Sequence, residues 1–150
     1  MENNQVILNT HFWGANKELK NISFTILKPN TNTMENLDKN RIEQLVKTRK
    51  KAHSFYLKKS KVYQSFVDME QNTYKDGKLG KKQKELIAIG ISVVINCESC
   101  MEWHIKQALD DGATEGEIIE AIEVGMEMSG GPGTASARFA MNVLEYYQSE

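Results

Sequence analysis

Net charge, long apolar runs and cysteine are all scarce in this chain. There are 19 Lys+Arg against 20 Asp+Glu, a formal charge of −1 over 150 residues. No polybasic field therefore directs the protein to nucleic acid or to an anionic membrane. The longest apolar stretch, "LIAIGISVVI" at 86–95, is about half of the ~20 residues a membrane span needs and reads as a buried helix. The opening "MENNQVILNT" is polar and has no basic end, so no secretory signal is expected and a reducing, cytoplasmic setting is. Two cysteines in such a setting point to catalysis, redox sensing or metal binding rather than to a permanent staple. No internal repeat or low-complexity tract is present, and the length suits one domain with a real core.

Residues 1–33 differ in character from the rest and form an N-terminal extension. Their two β-prone runs, "QVILN" and "ISFTIL", can pair as an ordered arm, and "KPNTNT" at 28–33 reads as a turn or linker. From Met34 to residue 150 the pattern is helical, which predicts an all-α domain of about six helices. Apolar residues at three- and four-residue spacing (Leu37, Ile42, Leu45, Val46, then Val62, Phe66, Met69) mark the first two helices, at roughly 35–57 and 59–75. After the break "KDGKLG", a helix is expected over roughly 82–95, with Asn96 as N-cap of the next. That next helix should end before Gly112. Thr114 and Glu117 have capping-box spacing and open a fifth helix to about 128, and Pro132 begins the last, to about 148. The intervening "SGGPG" lacks the Lys and Ser/Thr of a phosphate loop and the strand before it, so it reads as a structural break. Met101, Met126, Met128 and Met141 lie on apolar helical faces and suit core or subunit-interface packing.

Both cysteines and one of three histidines fall in "NCESCMEWH", residues 96–104. At about 100° per residue, Cys97 at 0°, Cys100 at 300° and His104 at 340° share one stripe about 60° wide, continued by Ala108. Glu98, Glu102 and Lys106 lie opposite, on what should be a charged, solvated face. Cysteines at i and i+3 can reach disulfide geometry in a first helical turn. His104 is one turn from Cys100 and two from Cys97, so Cys100 is the sulfur that an imidazole can serve directly.

Glu85, near the start of the preceding helix, is the fourth candidate. If the two helices form an antiparallel hairpin turning at Asn96, Glu85 lies about 16 Å from the turn and His104 about 12 Å. A glutamate side chain spans that difference, giving the order carboxylate, imidazole, thiol. Thiol activation alone is a weak use for such an array. Lowering a thiol pKa of ~8.5 by two units raises the thiolate about 25-fold at neutral pH. Falling nucleophilicity removes about tenfold of that gain. Returning a proton to a poor leaving group, such as the alkoxide or hydroxide from a peroxide, is the better justification. Zinc would want four ligands, and His11 and His53 are distant from the motif.

Glu85, Cys97-x-x-Cys100 and His104, with "GATEGEI" and "SGGPG" beyond them, resemble the alkylhydroperoxidase D-like branch of the carboxymuconolactone decarboxylase family. The similarity is strong over about residues 80–147, and residues 35–79 are compatible with it. The resemblance implies an all-helical homo-trimer or homo-hexamer with peroxidase or thiol–disulfide oxidoreductase chemistry, using no metal or organic cofactor. Cys100 would attack a hydroperoxide or disulfide substrate, Cys97 would resolve it, and Glu85 and His104 would relay protons. An external dithiol would supply electrons. Members that decarboxylate lactones generally lack the cysteine pair. Some family peroxidases carry a second histidine just before the second cysteine, where this chain has Ser99. That departure gives weight to a disulfide reductase or a non-catalytic redox sensor.

Overall fold

The computed structural model describes the backbone over residues 31–149 and side chains from residue 38. The two β-prone runs lie outside the described residues. Six helices follow in order: α1 (Thr31–Lys59), α2 (Lys61–Thr73), α3 (Lys81–Val94), α4 (Glu98–Asp110), α5 (Glu115–Ser129) and α6 (Gly133–Gln148). The all-α reading holds, with no strand among the described residues. α1 begins three residues before Met34, so Thr31–Thr33 are helical rather than part of a linker. No glycine or proline follows Pro29 in this stretch to stop the helix extending backward.

Local chemistry sets the remaining boundaries. The Ser60 hydroxyl accepts the Tyr63 N–H and separates α2 from α1. Thr114 and Glu117 form the reciprocal capping box that opens α5. Gly112, at φ 78°, supplies the left-handed residue after α4. Asn96 corrects the sequence reading, because it closes α3 instead of capping α4. It sits at φ 53°, its N–H bonding to the Val93 carbonyl while the Cys97 N–H bonds to that of Ser92. This is a Schellman closure with asparagine in the glycine position. Asn96 can take either role, since a short polar side chain suits both an N-cap and a left-handed site. Its carboxamide oxygen accepts the Ser136 hydroxyl of α6. Cys97 is therefore the N-cap of α4.

α3, α4, α5 and α6 enclose the core around Ile89, Val93, Met101, Ile105, Ile118, Ile122, Ala140, Val143 and Leu144. α3 and α5 meet where Gly90 faces Gly125, so closely that a Cβ on Gly125 would lie 2.5 Å from the Gly90 carbonyl oxygen. α1 adds Ile42 to the core, and α2 buries no residue. "LIAIGISVVI" is buried on one side only. Ile89 and Val93 are enclosed, but Ile87, Ile91, Val94 and Ile95 are about half exposed and form an apolar strip with Val124 and Met128 of α5. A helix that is apolar all round needs cover on two sides, and the described residues supply one. Met101 is buried and Met126 partly so, while Met128 and Met141 are exposed. No helix of the described residues is long and apolar enough to cross a membrane.

Candidate active site

The closure at Asn96 leaves no linker between α3 and α4, so the two helices fold back directly as the hairpin the sequence predicts. Cys97 is both the last residue of the α3 closure and the first of α4. Its Cα lies 5.2 Å from that of Cys100, and the two sulfurs are joined in a disulfide. The separation falls inside the ~4.4–6.8 Å window for such bonds. The Cys97 sulfur also accepts the Cys100 N–H at 3.3 Å, in the place where a serine or aspartate oxygen would cap a helix. That location favours sulfur as thiolate, because the first-turn N–H groups and the positive end of the helix dipole both stabilise a negative charge there.

Glu85 and His104 meet across the hairpin. Glu85 is 2 % exposed, and its Oε2 lies 2.7 Å from His104 Nδ1. An ionised carboxylate can only accept, so Nδ1 carries the proton of this bond and Nε2 is left for proton exchange. His104 is itself mostly enclosed, with 14 % of its side chain exposed. All four residues singled out from the sequence are thus on one hairpin, with the disulfide in the first turn of α4 and the Glu85–His104 hydrogen bond about one turn further along.

Several neighbours carry no signal in the sequence that would single them out. Tyr74, just past α2, lays its ring beside His104, with centroids 5.3 Å apart and planes 30° from parallel. Burial, helped by the charges of Glu85 and Glu70, pushes the Tyr74 hydroxyl up to about 12. The Trp103 indole donates to Glu70 at 3.0 Å. Tyr74, Glu85, Trp103 and Gln107 line one cavity of about 530 Å³, together with His53 and Lys81. His53 belongs to this wall rather than to the cysteine stripe, and its Nδ1 is 3.0 Å from the Tyr63 hydroxyl.

Glu102 overturns the expectation of a solvated opposite face. It is fully buried, held by Arg49 through Nε at 2.7 Å and Nη2 at 3.0 Å, and by the Tyr147 hydroxyl at 2.5 Å. Burial and the bond to Glu102 push the Tyr147 hydroxyl far above its usual range. α1 and α6 cover that side of α4, so Met101, Ile105, Ala108 and Glu102 face inward together. The cysteine stripe instead lies at the border of the buried face, where Cys97, Cys100 and His104 are each partly exposed. Arg49 also stacks over the Trp103 ring, 4.6 Å from its centroid. It thereby couples the buried pair to the cavity wall.

Similarity to known proteins falls on this same part of the chain. The sequence profile of the carboxymuconolactone decarboxylase family matches residues 60–143. A protein of Paracoccus denitrificans known as "Uncharacterized protein 4 in cox locus" is 40% identical over 81 residues, spanning 54% of this chain and 73% of that one. An uncharacterised protein of Cupriavidus necator is 37% identical over 85 residues, covering 57% and 73%. A Legionella pneumophila family member of known crystal structure superposes with a TM-score of 0.69 at 28% identity, over 72% of this chain and 97% of its own. One from Thermotoga maritima, for which a part in the antioxidative response has been suggested, gives a TM-score of 0.65 at 25% identity, over 71% and 91%. The helical hairpin with its disulfide and buried Glu85–His104 pair thus sits inside the matched region, and the chain belongs to the carboxymuconolactone decarboxylase family.

Proposed function

We propose that the protein is a thiol-dependent peroxidase, a thiol–disulfide oxidoreductase that reduces hydroperoxides through Cys100 and Cys97. The observation that carries this reading is the 2.7 Å bond between buried Glu85 and His104, on the helix whose first turn holds both cysteines. In the reduced protein His104 Nε2 takes the Cys100 thiol proton, and the resulting thiolate attacks the terminal peroxide oxygen. An S–O bond forms, the O–O bond breaks, and the leaving alkoxide takes a proton from His104. Cys100 is left as a sulfenic acid, oxidised by two electrons while the hydroperoxide becomes an alcohol. Cys97 then attacks the sulfenic sulfur: the S–S bond forms, the S–O bond breaks, and the departing hydroxide takes up the proton that the Cys97 thiol gave up, leaving as water. An external dithiol reduces that disulfide, with the N-capped Cys97 sulfur suited to leave as thiolate. Glu85 orients the imidazole and balances its charge when it is protonated. The suggested antioxidative role of the Thermotoga relative is in line with this chemistry.

The exposed apolar strip of α3 and α5, with Val62, Phe66 and Met69 exposed on α2, supports assembly into a homo-trimer or homo-hexamer. A titration of free thiols in the reduced protein tests the catalytic reading. One equivalent of tert-butyl hydroperoxide should consume two thiols, and Cys97→Ser should accumulate a trappable sulfenate. A sulfenate appearing only in Cys100→Ser would reverse the roles, and unchanged thiols would end the proposal.

A redox sensor is the second reading, and one observation favours it. Val94 and Ile95, both about half exposed, stand immediately before the disulfide turn, so its opening can alter an apolar contact surface. An oligomer size that changes with reductant, without peroxide turnover, would select it.

A further inference from the structure

α2 buries none of its residues, yet the turn that leaves it is tied to the site. Lys84, adjacent in sequence to Glu85, donates from Nζ to the Thr73 carbonyl at 2.8 Å and to the Lys75 carbonyl at 2.6 Å. Those two carbonyls flank Tyr74 on either side. The Tyr74 N–H is in turn held by the Glu70 carbonyl at 3.1 Å. The backbone around Tyr74 is thus fixed from three directions, and its ring lies beside the His104 imidazole.

We infer that Tyr74 is a positioning residue for the His104 relay, its ring covering one imidazole face so that the side chain is held for Nδ1 to bond Glu85. This rests on the peroxidase reading for its functional consequence, but not for its geometry. Charged and titratable groups of the cavity beside the pair come from each neighbouring element: His53 from α1, Glu70 from α2, Lys75 and Asp76 from the turn after it, and Lys81 and Glu85 from α3. The phenol stays protonated across the neutral range, because burial and the two carboxylates push it up to about 12. It therefore does not compete with His104 for protons, and its contribution is the ring.

The test compares Tyr74→Phe, Tyr74→Ala and Lys84→Met. Long-range 1H–15N spectra of the oxidised protein read the His104 tautomer, and stopped-flow oxidation of the reduced protein by tert-butyl hydroperoxide reads the rate across pH. Wild type and Tyr74→Phe should show one tautomer, protonated at Nδ1, with rates within about twofold and superimposable pH profiles. Tyr74→Ala should mix the tautomers, lose about tenfold or more in rate and change the profile. Lys84→Met should move in the same direction by less. A single unchanged tautomer in a folded Tyr74→Ala protein would overturn the inference. Should that variant unfold, Lys84→Met decides by the same two tautomer outcomes. If tautomers mix as expected while wild-type thiols ignore peroxide, the positioning role stands and the peroxidase reading falls.

Discussion

Replacing Glu102 with glutamine tests whether the buried ion pair holds α1 against α4. Glu102 has no exposure, while the Arg49 side chain keeps 23% of its own. Removing one member of a buried pair costs roughly 3–5 kcal/mol when the survivor is left without water. Arg49 is partly wet and can recover some hydration, so the expected loss is about 2–4 kcal/mol. For a chain of this length each kcal/mol shifts Tm by roughly 2–4 °C, giving a fall of about 5–15 °C. Urea unfolding at one fixed protein concentration, which holds any contribution of self-association constant between variants, is the assay. The control is Glu98→Gln, whose Arg41 partner is 56% exposed and which is itself 37% exposed; that change should cost under about 1 kcal/mol. Equal losses in the two variants would refute the reasoning. A triple replacement, Glu102→Leu with Arg49→Met and Tyr147→Phe, should restore most of the stability, since an apolar set of similar volume removes every desolvated charge.

Glu85→Gln keeps the volume and an acceptor for His104 Nδ1 but removes the charge, so peroxide-driven disulfide formation should slow by about 100-fold with the fold intact; an unchanged rate in stopped-flow would eliminate the relay. Gly125→Ala should destabilise by about 1–3 kcal/mol, because the new methyl meets the Gly90 carbonyl and Val93. Gly116→Ala, in the same helix with open space around it, should instead stabilise by roughly 0.5–1 kcal/mol, and thermal melts of the pair must differ in sign. Glu117 is held down to about 2 by its bond to Lys82, then by the Thr114 N–H and hydroxyl. Its folded value lies below the unfolded one, so its stabilisation is present above about 4.5 and is lost as pH falls toward 2. Glu117→Gln should flatten the stability profile in that window, and an unaltered profile by urea unfolding at several pH values would count against the bonds to Lys82 and Thr114 as its source.

The meeting of the four candidate residues is legible in the sequence because they occupy one stretch of chain, 85–104, whose geometry is nearly all local. Helical spacing sets Cys97, Cys100 and His104 on one stripe, and a short reversal at Asn96 brings Glu85 opposite. Little else in the fold has to be known. The function of Asn96 itself was misread because asparagine serves equally before a helix and after one. Only the hydrogen bonds from Asn96 and Cys97 back to Val93 and Ser92 distinguish the cases. Arg49 of α1 and Tyr74, just past α2, reach the site by non-local packing, and Trp103 of α4 is tied to Glu70 of α2; periodicity reports none of these contacts. Glu102 shows the same limit from the other side. Its angular position on α4 was read correctly, but not that Arg49 and Tyr147 would cover it.

The placement of the cysteine stripe at the edge of the buried face bears on how the chemistry is protected. Shifted inward by one residue, the Cys100 sulfur would fall at Met101 and the imidazole at Ile105, both fully enclosed, and that sulfur would be closed to any substrate. Shifted outward, to Ser99 and Trp103, the histidine would lose the buried carboxylate that orients it. Partial exposure would let each sulfur meet a partner in the proposed reaction, while Glu85, 2% exposed, bonds the imidazole in a poorly screened setting where such a bond is stronger than in water. Backbone closure at Asn96 fixes this border, because it sets at which angle α4 begins. A glycine there would keep the left-handed turn but lose the bond to the Ser136 hydroxyl, and with it the tie between the redox turn and α6. Asn96→Gly should therefore leave stability nearly intact and loosen the turn. Faster hydrogen exchange at Cys97 and Cys100 would show that loosening, and unchanged exchange would mean that the backbone closure alone holds the turn.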